Sequence, residues 1–160
     1  MITSILFNMF FSFLSSVTFA VLCNVPRKSL IPGGIVGMIG WLGYWGLHSA
    51  GSGVFISSFV CSLLLAFVGQ IAATWFKMPL TVFYIPGFVP VVPGITFFEG
   101  FRGILLDEYV HSALVFLDVL YSAVGIASGL VIADIIFRFT VVPFLKKFSL
   151  KSTHKKSYKS

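Results

Sequence analysis

Asp118 and His111 stand seven residues apart, so a helix through both sets a carboxylate and an imidazole two turns apart on one face. Ser122 and Gly125 continue that stripe, and Asp107 joins it if the helix begins near there. A carboxylate with a histidine can pass protons, and ionisable groups inside membrane segments mark ion or substrate pathways. The plainer role for Asp118 is an acid resting at the headgroup level. Fifteen uncharged residues separate Asp118 from Asp134, too few to cross a bilayer. A helix centred between the two acids leaves each about 12 Å from the midplane, inside a hydrocarbon core of half-thickness roughly 15 Å. Asp134 has Arg138 four residues on, the spacing of an ion pair.

The second group of interest is the run from Tyr84 to Gly94, Y-I-P-G-F-V-P-V-V-P-G. Prolines at 86, 90 and 93 each remove a backbone donor and clash with the preceding turn, so a continuous helix is not expected. No charge occurs between Met78 and Phe98, so the segment does not read as a water-exposed loop either. Broken backbone at membrane depth survives where protein or a water-lined cavity surrounds it, and such interruptions hold ligands in transporters. The expected break runs from Pro86 to Gly94, with backbone groups of Phe88, Val89 and Val92 left unpaired. The following half-helix would offer N–H groups near Gly94–Thr96 to a carboxylate. Gly87 and Gly94 would permit backbone conformations closed to other residues and close approach of a ligand. The expected substrate-binding set is therefore Pro86, Gly87, Pro90, Pro93, Gly94 and Thr96, with Gln70 as a further polar group at membrane depth. A kinked packing helix without ligand is the alternative for the proline run. Interhelical hydrogen bonding is the commoner role for Gln70.

These residues need helices in lipid to position them. The chain of 160 residues is 58% hydrophobic and 10% charged, far from the roughly 25% charge of a soluble domain. An all-α polytopic membrane protein with about five spans follows, at about 2–23, 32–47, 54–76, 80–98 and 112–137, the fourth broken by the proline–glycine run. Residues 1–145 form one transmembrane domain and 146–160 a basic tail. The apolar N-terminus lacks a basic leader and reads as a retained helix. Six of the eleven basic residues fall in the tail, the usual cytoplasmic flank of a membrane helix, where they can also meet anionic lipid. No aromatic interleaving supports nucleic-acid binding. With Arg27, Lys28 and Lys77, the tail places the C-terminus in the cytoplasm and the N-terminus outside after five crossings.

Glycines at 33, 37, 40, 43 and 46 in the second span, and Ser122, Gly125 and Gly129 in the fifth, suit close helix contact. Gly37, Gly40, Gly43, Gly125 and Gly129 are the expected packing positions. Cys23 and Cys61 have neither CxxC spacing nor clustered histidines, so no metal site or disulfide framework is indicated. No catalytic triad or phosphate loop is legible. Neither an enzyme nor a cofactor is expected.

The run Phe19-Ala-Val-Leu-Cys-Asn24-Val-Pro26-Arg27, the glycine-rich second span and the stretch from Lys77 to Gly94 together resemble the threonine/serine exporter family. The similarity is to its small-subunit type, which corresponds to the C-terminal half of the fused exporters, and covers roughly Val17 to the end of the fifth span. Family members often carry an arginine shortly before the lysine–proline step; Ala72-Ala-Thr-Trp-Phe offers none. The resemblance implies a plasma-membrane subunit that works with a second, larger membrane polypeptide. It implies export of small polar metabolites, threonine/serine-type amino acids or dicarboxylates, in exchange for protons. Self-association beside that partner fits the glycine-lined helices. The competing reading is a non-transporting scaffold that stabilises a partner holding the whole pathway.

Overall fold

The computed structural model describes the backbone of residues 2–157 and the side chains of residues 3–139. Its helices are α1 (Ile2–Leu22), α2 (Leu30–Ser49), α3 (Val54–Phe76), α4 (Thr81–Phe88), α5 (Gly94–Leu105) and α6 (Tyr109–Ser157), with a 3-10 turn at Arg27–Ser29 before α2. The described residues contain no strand. Four helices (α1, α2, α3 and α6) each carry an apolar stretch long enough to cross a bilayer. The protein is an all-α polytopic membrane protein.

Local sequence explains the boundaries. Three helices close on a left-handed residue: Asn24 after α1 (φ 53°), Lys77 after α3 (φ 52°) and Asp107 after α5 (φ 60°). In each case the next N–H reaches back five residues: Val25 to Ala20 at 3.0 Å, Met78 to Ala73 at 3.1 Å and Glu108 to Gly103 at 2.8 Å. That bond occupies a carbonyl the helix end would otherwise leave open. Pro26 and Pro79 then stand two residues past the left-handed position and prevent continuation. The second span begins earlier than residue 32 because Pro32 falls in the first helical turn, where its missing N–H removes no helical bond. α6 likewise starts before residue 112 and runs past 137. The expected domain boundary at 145 falls inside α6, beyond the described side chains.

α1 and α2 run antiparallel, as do α2 and α3, while α6 lies parallel to α3. The registers come from small residues. A Cβ at Gly37 would overlap the Ser16 hydroxyl of α1, and one at Gly43 would lie 2.6 Å from Leu64 of α3. A Cβ at Gly40 would lie 3.1 Å from Leu65. On α6, a Cβ at Gly125 would fall 2.7 Å from the Phe55 carbonyl, and one at Gly129 would overlap the Ser62 hydroxyl. The Ser58 hydroxyl donates to Ser122 Oγ at 3.1 Å on the same seam. The two glycine-lined helices therefore meet α3 rather than each other.

α4 inserts between α2 and α3 around a core of Val36, Leu65 and Phe83, all fully buried. The fourth helix is broken, as its composition requires, but later than expected. Pro86 lies inside α4, which ends at Phe88 with Val89 as its cap, and turns and a bend carry the chain to α5 at Gly94. The pairing of α1 with α2 and of α2 with α3 puts Arg27, Lys28 and Lys77 at one end of the bundle. The Ser49–Gly53 turn and the Leu106–Glu108 loop lie at the other.

Candidate functional site

The interruption after α4 forms one wall of a cavity of about 350 Å³. Pro90, Val91, Val92 and Pro93 line it from the break, Ile95 and Thr96 from the first turn of α5. α2 contributes Trp41, Tyr44 and His48, and α6 contributes Asp118 and Ser122. Val54, the first residue of α3, closes the end near the Ser49–Gly53 turn.

The backbone of the break is less open than its prolines suggest. The expected free carbonyls of Phe88 and Val92 are both occupied. Phe88 accepts from Val91 N at 2.9 Å and from Val92 N at 3.0 Å, and Val92 accepts from Gly94 N at 2.7 Å. One residual helical bond (Val92 to Phe88) and tighter turns occupy these carbonyls, which reduces the cost of unpaired groups. Val89 N has a long contact of 3.4 Å to Pro86 O. The carbonyls of Val89, Pro90 and Val91 accept no backbone bond among the described residues, and open donors stand beside them. Pro93 caps α5 without a side-chain bond, and Ile95 and Thr96 N–H have no backbone acceptor among the described residues. They form the positive end of the α5 dipole, and both residues line the cavity. Gly94 adjoins them, and a Cβ there would meet nothing within 4 Å. Neither Gly87 nor Gly94 has a positive φ; among the described glycines that conformation belongs to Gly51 (φ 86°) in the turn after α2.

The expected substrate residues divide into two groups. Pro90, Pro93 and Thr96 line the cavity, and Gly94 borders it. Pro86 and Gly87 face helix contacts instead. Pro86 packs toward Gly33, and a Cβ at Gly87 would lie 3.2 Å from Val36 and 3.4 Å from Leu65. Gln70 is 3% exposed, and its Nε2 donates to Tyr84 Oη at 3.2 Å; Tyr84 in turn donates to the Ala66 carbonyl at 3.2 Å. These bonds tie α4 to α3 and leave Gln70 outside the cavity lining. Its Oε1 has no partner among the described residues.

Asp118 and His111 do not converge. Seven residues of α6 separate them along about 10 Å of helix. His111 lines a separate recess near the end of the bundle with Glu99, Arg102 and Glu108. Asp107 lies before α6 and accepts from Tyr109 Oη at 2.9 Å. The histidine that shares a cavity with Asp118 is His48. Its ring stacks on Tyr44 with centroids 5.5 Å apart, and Tyr44 stacks on Trp41 at the same separation. The spacing Trp41, Tyr44, His48 is the one signal by which sequence alone would have grouped them, since i, i+3 and i+7 share a helix face. Asp134 pairs with Arg138 at 2.8 Å, as their spacing implies.

The arrangement can hold a small polar solute with separated charges. Ile95 and Thr96, whose N–H groups have no backbone acceptor among the described residues, line the cavity together with Asp118 and the aromatic residues Trp41 and Tyr44. Its volume is near the lower end of small-molecule sites. Among known proteins, residues 8–136 match the family model described as Threonine/Serine exporter, ThrE. No solved structure matches the chain.

Proposed function

The chain belongs to the threonine/serine exporter family, a family of membrane transporters, and from that premise we propose that the cavity between the broken helix and α6 holds an exported amino acid. The carrying observation is the pairing of opposite electrostatic features on one cavity. The α5 N-terminal amides suit the carboxylate of the solute, and Asp118 suits its ammonium group. A zwitterion satisfies both. A dicarboxylate would set its second carboxylate against Asp118, so amino acids of the threonine/serine type are favoured while Asp118 is ionised. Asp118 also serves as the group whose protonation couples export to protons.

In this reading the chain is a plasma-membrane subunit with Arg27, Lys28 and Lys77 on the cytoplasmic side, as the placement of basic residues supports. The cavity then opens in the outer half of the membrane. A larger membrane subunit supplies the inner part of the route.

The test is export of L-threonine, L-serine and succinate from cells lacking the chain, re-expressing either wild type or Asp118→Asn. Restored amino-acid export by wild type, lost at least tenfold in Asp118→Asn at equal membrane abundance, is the expected result. Equal export by both proteins would remove Asp118 and the cavity from the pathway. Succinate export in place of amino-acid export would reassign the substrate.

A further inference from the structure

A second recess of about 420 Å³ runs beside α1, lined by Phe7, Asn8, Phe11, Ser12, Trp41 and Pro90. Trp41 and Pro90 also line the cavity already described. The two spaces therefore share a wall made of one indole and one proline ring. Pro90 is held by the turns of the break, whereas a tryptophan side chain can change rotamer. What fixes the indole decides whether the spaces are separate.

Two contacts fix it. Trp41 Nε1 donates to Asn8 Oδ1 at 2.9 Å across α1 and α2. On its other side the ring stacks on Tyr44, with centroids 5.5 Å apart and planes at 22°. The Asn8 amide is itself oriented, because its Nδ2 donates to the Ser4 carbonyl at 2.8 Å and leaves Oδ1 aimed at the indole. An amide on a helix as apolar as α1 is unfavourable unless it is bonded, and apolar packing against α2 would not require one. Its described bonds are spent on Trp41 and on its own helix.

We infer that Trp41, held by Asn8, is the partition between the substrate cavity and the recess along α1, and that it sets the largest amino acid the cavity accepts. Asn8 is a positioning residue acting through the indole. The inference rests on the reading of the cavity as the substrate site. Removing the ring takes away the wall the two spaces share and gives larger side chains room toward α1, where Phe7 and Phe11 leave the recess open on its outer side. The class of solute admitted by the opened site is the larger neutral amino acids, because the groups that would hold the carboxylate and ammonium are untouched.

Two readouts test this in cells or membrane vesicles carrying the full chain. The first does not depend on substrate. In a Cys23→Ser, Cys61→Ala background, Phe11→Cys places a thiol on the recess side, and a charged, water-requiring methanethiosulfonate reports whether water reaches it. Adding Trp41→Ala should speed labelling at least tenfold. Asn8→Leu, which keeps the indole and removes the bond, should speed it severalfold. Adding Asn8→Leu to Trp41→Ala should speed labelling no further, because Asn8 acts only through the indole. Asn8→Gln, which retains the acceptor, should restore slow labelling. The second readout is the export ratio of L-threonine to L-phenylalanine, which should fall at least tenfold in Trp41→Ala. Labelling that is already fast with native Trp41, or unchanged by its removal, overturns the partition. Additive single effects overturn the role of Asn8. Should export survive Asp118→Asn and the joint replacement of Pro90 and Pro93, the substrate site itself is lost. Unchanged labelling with export still sensitive to those replacements removes the partition alone.

Discussion

At the residue scale, the groups that face the cavity and those that hold the bundle together differ in what their loss should do. Asp118 has no ion-pair partner among the described residues, so its carboxylate contributes little to holding α6 in place. Asp118→Asn should leave stability within about 0.5 kcal/mol of wild type, as for a substitution away from packing contacts, and abolish export; detergent-titration unfolding beside an export assay separates the two effects. The glycines behave in the opposite way. A side chain at Gly129 would drive into Ser62 and the Phe59 carbonyl, so Gly129→Val should destabilise by about 1–3 kcal/mol and lower membrane abundance. Gly46 lies on a comparable helix, yet a Cβ there meets nothing within 4 Å. Gly46→Ala should be neutral or stabilise by about 0.5 kcal/mol through its helix preference. If the two glycine variants shift the same unfolding curve alike, packing by small residues is not what sets the α3–α6 register.

At the element scale, the interruption between α4 and α5 is anchored below and open above. Below the break, Gly87 lies against Val36 and Leu65, and Tyr84 is bonded to Gln70 and Ala66. Above it, α5 packs chiefly on α6, where Phe97, Phe101 and Phe116 meet edge to face at 5.1–5.8 Å. The five residues from Val89 to Pro93 thus join two separately seated helices. Replacing Pro90 and Pro93 by alanine restores two backbone donors and the option of a continuous helix. The double variant should insert and accumulate as wild type does while export falls to background, because the α5 N-terminal amides become internal helix bonds. Wild-type export by that variant would show that the break is not used for binding. Tyr84→Phe tests the anchor: it removes the bonds to Ala66 and Gln70, each worth about 0.6–1.7 kcal/mol in a membrane helix pair, and should loosen α4 without closing the break.

At the scale of the whole molecule, the antiparallel pairing of the first three helices gathers Arg27, Lys28 and Lys77 at one end. Reporter fusions in the Ser49–Gly53 turn and after Ser160 should read external and cytoplasmic respectively. An external C-terminus would remove the fifth crossing. The chain is also narrow for a complete route: α5 has one principal neighbour, and Leu105 near its end is about four-fifths exposed. Purified chain reconstituted alone in liposomes should fail to move L-threonine, and co-reconstitution with a larger subunit should restore transport. Transport by the chain alone would end the two-subunit reading.

Apolar length, charge placement and proline content belong to single segments, so the sequence by itself determined the all-helical membrane class, the bounds of α3, the interruption of the fourth helix and the Asp134–Arg138 pair. Which side of a helix faces which neighbour is a different kind of quantity. α2, α3 and α4 are apolar nearly all round, so hydrophobic periodicity carries no direction for their rotation. Rotation is decided where backbones approach at Gly37, Gly43, Gly87 and Gly129, and those approaches exist only once the helices are together. The tertiary structure alone therefore withdrew Gln70, Pro86 and Gly87 into helix contacts. It likewise set His111 and Asp118 in different recesses and brought Trp41, Tyr44 and His48 to the cavity instead.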